Sequence, residues 1–157
     1  MRKLYTKKAI EHFKNPHNYG KLKNPDGVGK VGNMVCGDVM HLYIKISHNK
    51  KGQDIIKNIK FETYGCLAAI ATSSVITDLV KGKTIEQALE VDRDKVVKTL
   101  GGLPIVKVHC SVLAVDALFD AIYDYLTKNK KPIPEVLEKR RKRIEKEKEF
   151  IKKKYEI

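Results

Sequence analysis

The chain contains three cysteines, Cys36, Cys66 and Cys110, and each stands where a loop gives way to regular structure. Cys36 lies in Gly32-Asn33-Met34-Val35-Cys36-Gly37-Asp38, ahead of an alternating run. Cys66 follows Tyr64-Gly65, Cys110 follows His109, and each opens a long apolar stretch. An odd number of thiols cannot pair off completely as disulfides. A carboxylate, Asp38, and an imidazole, His109, stand beside two of them. Sulfur donors with one oxygen and one nitrogen donor at hand suit zinc or an iron–sulfur cluster. No Cys-x-x-Cys pair occurs, so the usual zinc-ribbon and ferredoxin spacings are absent. A thiol must be a thiolate to bind metal or to attack sulfur, and the starts of helices favour that negative charge.

The elements that must position these residues follow from the apolar pattern. Residues 5–13 predict a short helix with Tyr5, Ala9, Ile10 and Phe13 on one face, ended by Asn15-Pro16. Residues 15–37, dense in glycine and proline, read as an extended loop. From Asp38 to Ser47 the apolar Met40, Leu42, Ile44 and Ile46 alternate with polar residues, which predicts a half-buried strand. A turn at His48–Gly52 returns the chain as a second strand, Ile55–Thr63. Leu67–Val80 is apolar all round and predicts a buried helix. Thr84-Ile85-Glu86-Gln87 fits a capping box, and Asp92 or Asp94 opens a further helix closed by Gly101-Gly102.

Ser111 reads as the cap of the next helix, with Leu113, Ala117, Ile122 and Tyr125 on its apolar face. Asp116, Asp120 and Asp124 form one stripe, read as that helix's solvated side. Pro132-Ile133-Pro134 interrupts it, and Glu135–Ile157 predicts a last, highly charged helix. There Leu137, Ile144 and Ile151 recur seven residues apart, a stripe narrow enough to predict a helix that projects or packs lightly. Strands first and helices after predict an α+β fold: about three antiparallel strands with helices packed on one face, plus a basic C-terminal helix. The division expected is a domain over 1–131 and an extension over 132–157.

At 157 residues the chain is long enough to bury a core without staples. Of its net charge of +13, residues 128–157 supply 13 Lys and Arg against 6 Glu. Such a tail reads first as a solvated, salt-bridged helix and only second as a nucleic-acid surface, because Phe150 and Tyr155 are its only aromatics and make no platform on which bases stack. The longest uncharged run, Thr63–Thr77, is too short and too rich in Ser and Thr to span a bilayer. The first residues contain no apolar signal core, so a cytoplasmic location with reduced thiols is expected. His12, His17, His41 and His48 read as structural.

Four segments in order carry a family resemblance. They are Asn15-Pro16-His17-Asn18-Tyr19-Gly20, Cys36-Gly37-Asp38-Val39-Met40, Phe61 through Gly65-Cys66-Leu67-Ala68-Ala69 to Ser74, and Leu103-Pro104-Ile105-Val106-Lys107-Val108-His109-Cys110-Ser111. Between about Tyr5 and Leu126 the chain resembles the IscU/NifU-type scaffold proteins on which iron–sulfur clusters are assembled. The resemblance implies a scaffold and carrier rather than an enzyme. It implies Cys36, Cys66 and Cys110 as cluster thiolates, with Asp38 and His109 completing or tuning the site. Cys110 would be the first acceptor of persulfide sulfur.

The same resemblance implies a [2Fe-2S] cluster, with [4Fe-4S] as the alternative and zinc as an occupant of the site without cluster. The implied partners are a cysteine desulfurase, recipient apo-proteins, a second copy of the chain, and a chaperone reading Leu103–Lys107. The chain departs from the common pattern at Leu67-Ala68-Ala69, where many scaffolds have Gly-Ser-Ala, and in carrying one proline instead of two in Leu103–Lys107. His109 and the short gap from Cys66 to Cys110 set it apart from the SufU-type branch of zinc-dependent sulfur acceptors, the alternative reading.

Overall fold

A computed structural model describes residues 5–33 and 38–155, with Asn33, Asp38 and several residues past Lys146 described by backbone alone. Three strands, β1 (Gly27–Asn33), β2 (Asp38–His48) and β3 (Asp54–Thr63), form one antiparallel sheet in the order β1-β2-β3. Around it lie α1 (Lys7–Lys14), α2 (Leu67–Val80), α3 (Ile85–Ala88), α4 (Arg93–Thr99), α5 (His109–Lys128) and α6 (Glu135–Tyr155). A 3-10 turn, Ile105–Lys107, leads into α5. The architecture is the expected α+β, with a three-stranded antiparallel sheet.

Alternation works as the pattern predicts: Met40, Leu42 and Ile44 of β2 are fully buried, opposite Val31 of β1 and Ile59, Phe61 and Thr63 of β3. A register shift after Lys45 takes Asn58 and Ile56 as successive partners, leaving Lys57 as the extra residue of a bulge. The bulge lets Ile56 and Ile59 both face the core despite their odd spacing. α2 is buried on nearly every side, and its hydroxyls turn back onto its own carbonyls: Thr72 to Ala68 and Ser73 to Ala69, each at 2.7 Å. Those bonds satisfy polar groups that would otherwise be costly in a core.

The stretch expected to be a loop contains β1, which is a correction with a clear physical cause. Gly27, Gly29 and Val31 face inward, and α5 lies directly against them. A Cβ on Gly29 would stand 2.0 Å from the Ala117 carbonyl oxygen, and one on Gly27 would stand 2.3 Å from that of Ala121. The glycines are therefore the means by which a helix backbone approaches a strand, not punctuation. β1 is an edge strand, and two of its N–H groups find partners on α5. Val28 donates to Asp124 at 2.9 Å and Lys30 to Asp120 at 3.0 Å.

The acidic stripe of α5 is thus not its solvated side. Asp120 and Asp124 close the sheet edge, and Asp116 is buried beneath α6. Arg140 Nε and Arg143 Nη2 donate to Asp116 at 2.6 and 2.7 Å, and Arg141 pairs with Asp120. The guanidinium groups also lie over α5 aromatics: Arg140 is 4.7 Å from the Phe119 ring and Arg141 is 5.0 Å from that of Tyr123. Leu137 is 1 % exposed and Ile144 is 5 % exposed. The light packing expected of the last helix is corrected for its first three turns. An apolar stripe too narrow to hold alone is supplemented by arginines that bury their stems and pair their heads. Ile151 has no described side chain.

Two further local expectations change. Of the face predicted for α1, Ala9 is fully buried while Ile10 and Phe13 are exposed. Ser111 is not the cap of α5: Val108 precedes the helix, and the Ser111 hydroxyl donates back to the Val108 carbonyl. The capping box at Thr84–Gln87 and the Asp92 cap are present as expected.

Removing residues 132–157 should lower stability by about 3 kcal/mol. Leu137 alone buries roughly 2 kcal/mol of apolar surface, and Asp116 would lose its cations. Removing only 147–157 should change it by less than about 0.5 kcal/mol. Urea unfolding of both truncations checks this, and equal midpoints for the two would show that the docked part of α6 contributes nothing.

Candidate metal and thiol centre

The starts of α2 and α5 meet at one end of the sheet. Cys66 is the cap residue of α2, with extended backbone (φ −76°, ψ −178°), and its carbonyl accepts the first helical bond from Ile70. Its side chain makes no capping bond, so the sulfur is left for other use. His109 and Cys110 are the first two residues of α5. The expectation that both thiols lie at helix starts therefore holds, with Cys110 inside the first turn instead of before it.

The geometry brings three of the predicted side chains together. Cys66 Sγ and Cys110 Sγ are 3.7 Å apart, as thiols and not as a disulfide, and Cys110 Sγ is 3.5 Å from His109 Nε2. A tetrahedral ion bonded to sulfur at about 2.3 Å and to nitrogen at about 2.05 Å would have sulfurs about 3.8 Å apart and a sulfur–nitrogen edge of about 3.5 Å. The observed separations match the edges of such a tetrahedron. The donor set fits a thiophilic metal centre.

The turn before Cys66 is held to β2 by Thr63. Its hydroxyl donates to the Val39 carbonyl at 2.7 Å and accepts from Gly65 N–H at 3.1 Å. Tyr64 N–H donates to the same Val39 carbonyl. Asp38, which opens β2 opposite Asn33, is thus one residue from a position tied to the Cys66 turn. The Asp38 side chain and Cys36 lie outside the described residues, so the placement of those two predicted ligands is not part of this geometry.

Cys110 is fully buried, while Cys66 is partly exposed. Next to them the 3-10 turn presents apolar side chains to solvent: Ile105 is 92 % exposed and Val106 is 75 % exposed. Tyr5 is a neighbour that the sequence reading missed. Burial raises the pKa of its phenol, the charges of Cys66 and Cys110 raise it further, and Lys107 opposes them. Thr63 was also missed, although the inward alternation of Ile59 and Phe61 points to it as the next inward residue of the strand.

The protein class follows from this fold and site. The NifU-like N terminal domain family matches residues 4–132, and the chain belongs to that family. It is 56 % identical over 128 residues to the iron-sulfur cluster assembly scaffold protein IscU 1 of Archaeoglobus fulgidus, a match covering 82 % of this chain and 80 % of that one. It is 49 % identical over 127 residues to the iron-sulfur cluster assembly scaffold protein IscU of Haemophilus influenzae, covering 79 % and 97 %. The N-terminal NifU-like protein of Brucella abortus, a solved structure, superposes with a TM-score of 0.59 at 24 % identity over 80 % of this chain and 96 % of that one, a likeness of fold. Among the described residues no helix is long and apolar enough to cross a membrane.

Proposed function

We propose that this chain is a scaffold on which iron–sulfur clusters are assembled and from which they are passed on. The observation that carries the reading is the 3.7 Å pair of Cys66 and Cys110 sulfurs with His109 Nε2 at 3.5 Å, in a chain whose relatives are named cluster scaffolds. The cluster is cargo here, and the protein supplies ligands without turning over a substrate of its own. Cys36, Cys66 and Cys110 supply the thiolates. Asp38 or His109 supplies the weaker fourth contact, which makes release easier because a carboxylate or imidazole is a poorer partner for iron–sulfur than a thiolate.

Cys110 receives sulfur as persulfide from a cysteine desulfurase, and the cargo is a [2Fe-2S] cluster. Apo-proteins in the cytoplasm are the recipients. The exposed Ile105 and Val106 offer a chaperone an apolar contact within Leu103–Lys107. Nucleic acid is a weak candidate, because Arg140, Arg141 and Arg143 are engaged by Asp116 and Asp120. A zinc-bound sulfur acceptor of the SufU type is less favoured, since His109 joins the thiols in this chain and the relatives are named scaffolds.

Anaerobic reconstitution with iron and sulfide should give a brown, oxygen-sensitive protein. A variant with Cys36, Cys66 and Cys110 all changed to Ala should retain at most about a tenth as much iron, since even lost outer-sphere support at metal sites costs roughly 10–100-fold. Equal iron and sulfide in the two proteins would sink the assignment, and zinc alone after the same procedure would favour the sulfur-acceptor reading.

A further inference from the structure

A second group of donors lies away from the thiols, where α1 and the Asn-Pro loop cross α2. His12, His17 and Asp78 each present a ligand atom within 4.8 Å of the others. Ser74 and Asp78 are on one face of α2, eight and twelve residues beyond Cys66, or about 12 and 18 Å along the helix axis. The group is therefore not an extension of the cysteine centre. We propose that His12, His17 and Asp78 form a separate site for a divalent first-row transition ion such as Zn2+, clamping α1 and the following loop to α2.

The surroundings are built as such a site requires. His12 Nδ1 is 2.7 Å from Ser74 Oγ, and the His17 backbone N–H donates to the same oxygen at 2.8 Å. One ring is thus oriented by an outer hydrogen bond, as ligating histidines usually are, and the other residue is fixed by its backbone. With His12 Nδ1 turned to Ser74, Nε2 is the nitrogen left to bind. Asn18 Nδ2 donates to Thr77 Oγ1 at 2.9 Å and ties the loop to the same helix. The two imidazole rings are 4.6 Å apart between centroids, and His17 Nδ1 is 2.5 Å from Asp78 Oδ2.

Ligand atoms around a tetrahedral ion stand about 3.4 Å apart, so only small movements are needed. His17 and Asp78 are exposed, and their mutual contact at 2.5 Å must open by about 1 Å to admit the ion. Two imidazoles and one carboxylate suit zinc-class and ferrous ions and disfavour calcium or magnesium, which take all-oxygen sites. The site leaves positions open for water and contributes no thiolate, so it differs from the cysteine centre in chemistry as well as in place.

The test is a Zn2+ titration of the full chain under reducing, oxygen-free conditions, followed by histidine ring 15N resonances and by Tm. The His12 and His17 ring nitrogens should shift together. In a Cys66→Ala/Cys110→Ala background, Zn2+ at about a hundred times its Kd should still raise Tm by roughly 5–10 °C. His17→Gln or Asp78→Asn should remove that rise and one equivalent of bound zinc, and should leave iron–sulfur loading of the otherwise unchanged chain as it was. If the cysteine variant does not fold, the ring resonances of the parent chain decide. Rings that do not move with millimolar zinc, or an unchanged zinc count in His17→Gln, would reduce the cluster to a His17–Asp78 ion pair and overturn the proposal.

Discussion

Brief turnover of a cysteine desulfurase with the full chain should place one extra sulfur on Cys110. Cys110→Ala should lose that mass and at least about tenfold of the iron retained after reconstitution. The proposal rests on the position of Cys110 inside the first turn of α5, where unpaired N–H groups favour a thiolate, with His109 Nε2 at 3.5 Å. Burial works against it, because a fully enclosed sulfur cannot meet a donor persulfide directly. The 3-10 turn Ile105–Lys107 leads straight into α5, and its Ile105 and Val106 side chains lie in solvent instead of in the core. Local opening near the start of α5 is then expected to expose the sulfur, as segments with few buried apolar contacts open below the global unfolding free energy. Sulfur transfer should therefore be slower than at an exposed thiol. Peptide mapping by mass spectrometry decides the order: persulfide first and mainly on the more accessible Cys66, or on Cys36, would refute Cys110 as primary acceptor.

Gly29→Val should be among the most destabilising single changes in the protein. Its Cβ would fall 2.0 Å from the Ala117 carbonyl oxygen and 2.8 Å from the Ala121 nitrogen, and both are backbone atoms of α5. Neither can rotate aside, so β1 and α5 must separate. Overpacking at sites that can partly relax costs about 1–3 kcal/mol, and here about 3 kcal/mol or more is expected. Separation would also lengthen the bonds from Val28 and Lys30 to Asp124 and Asp120, which close the sheet edge. A typical domain has only about 5–15 kcal/mol to lose. Urea unfolding should show the midpoint falling sharply, while Gly52→Ala, with nothing within 4 Å but a left-handed φ of +78°, should cost only the backbone strain of about 1–2 kcal/mol. Similar midpoints for the two variants would show that the close approach of β1 and α5 is not needed.

Much of this protein can be read in its residues because local physics governs those parts. Period-two alternation in Asp38–Ser47 specifies β2, since one face of a half-buried strand must be apolar. Thr84 and Gln87 specify a helix start because their side chains meet donors only a turn away. Cysteines beside glycine, aspartate and histidine raise the expectation of a metal-binding centre from donor chemistry alone. Tertiary structure decided what depends on distant partners. Gly27 and Gly29 look like loop residues until α5 is laid across them, because a glycine chosen for flexibility and one chosen for close approach are the same letter. Asp116, Asp120 and Asp124 look solvated until Arg140, Arg141, Arg143 and the β1 amides supply partners from across the molecule. Only the folded chain sets Cys66 and Cys110 3.7 Å apart from positions 44 residues apart, because a site made of two helix starts is a property of how the helices pack.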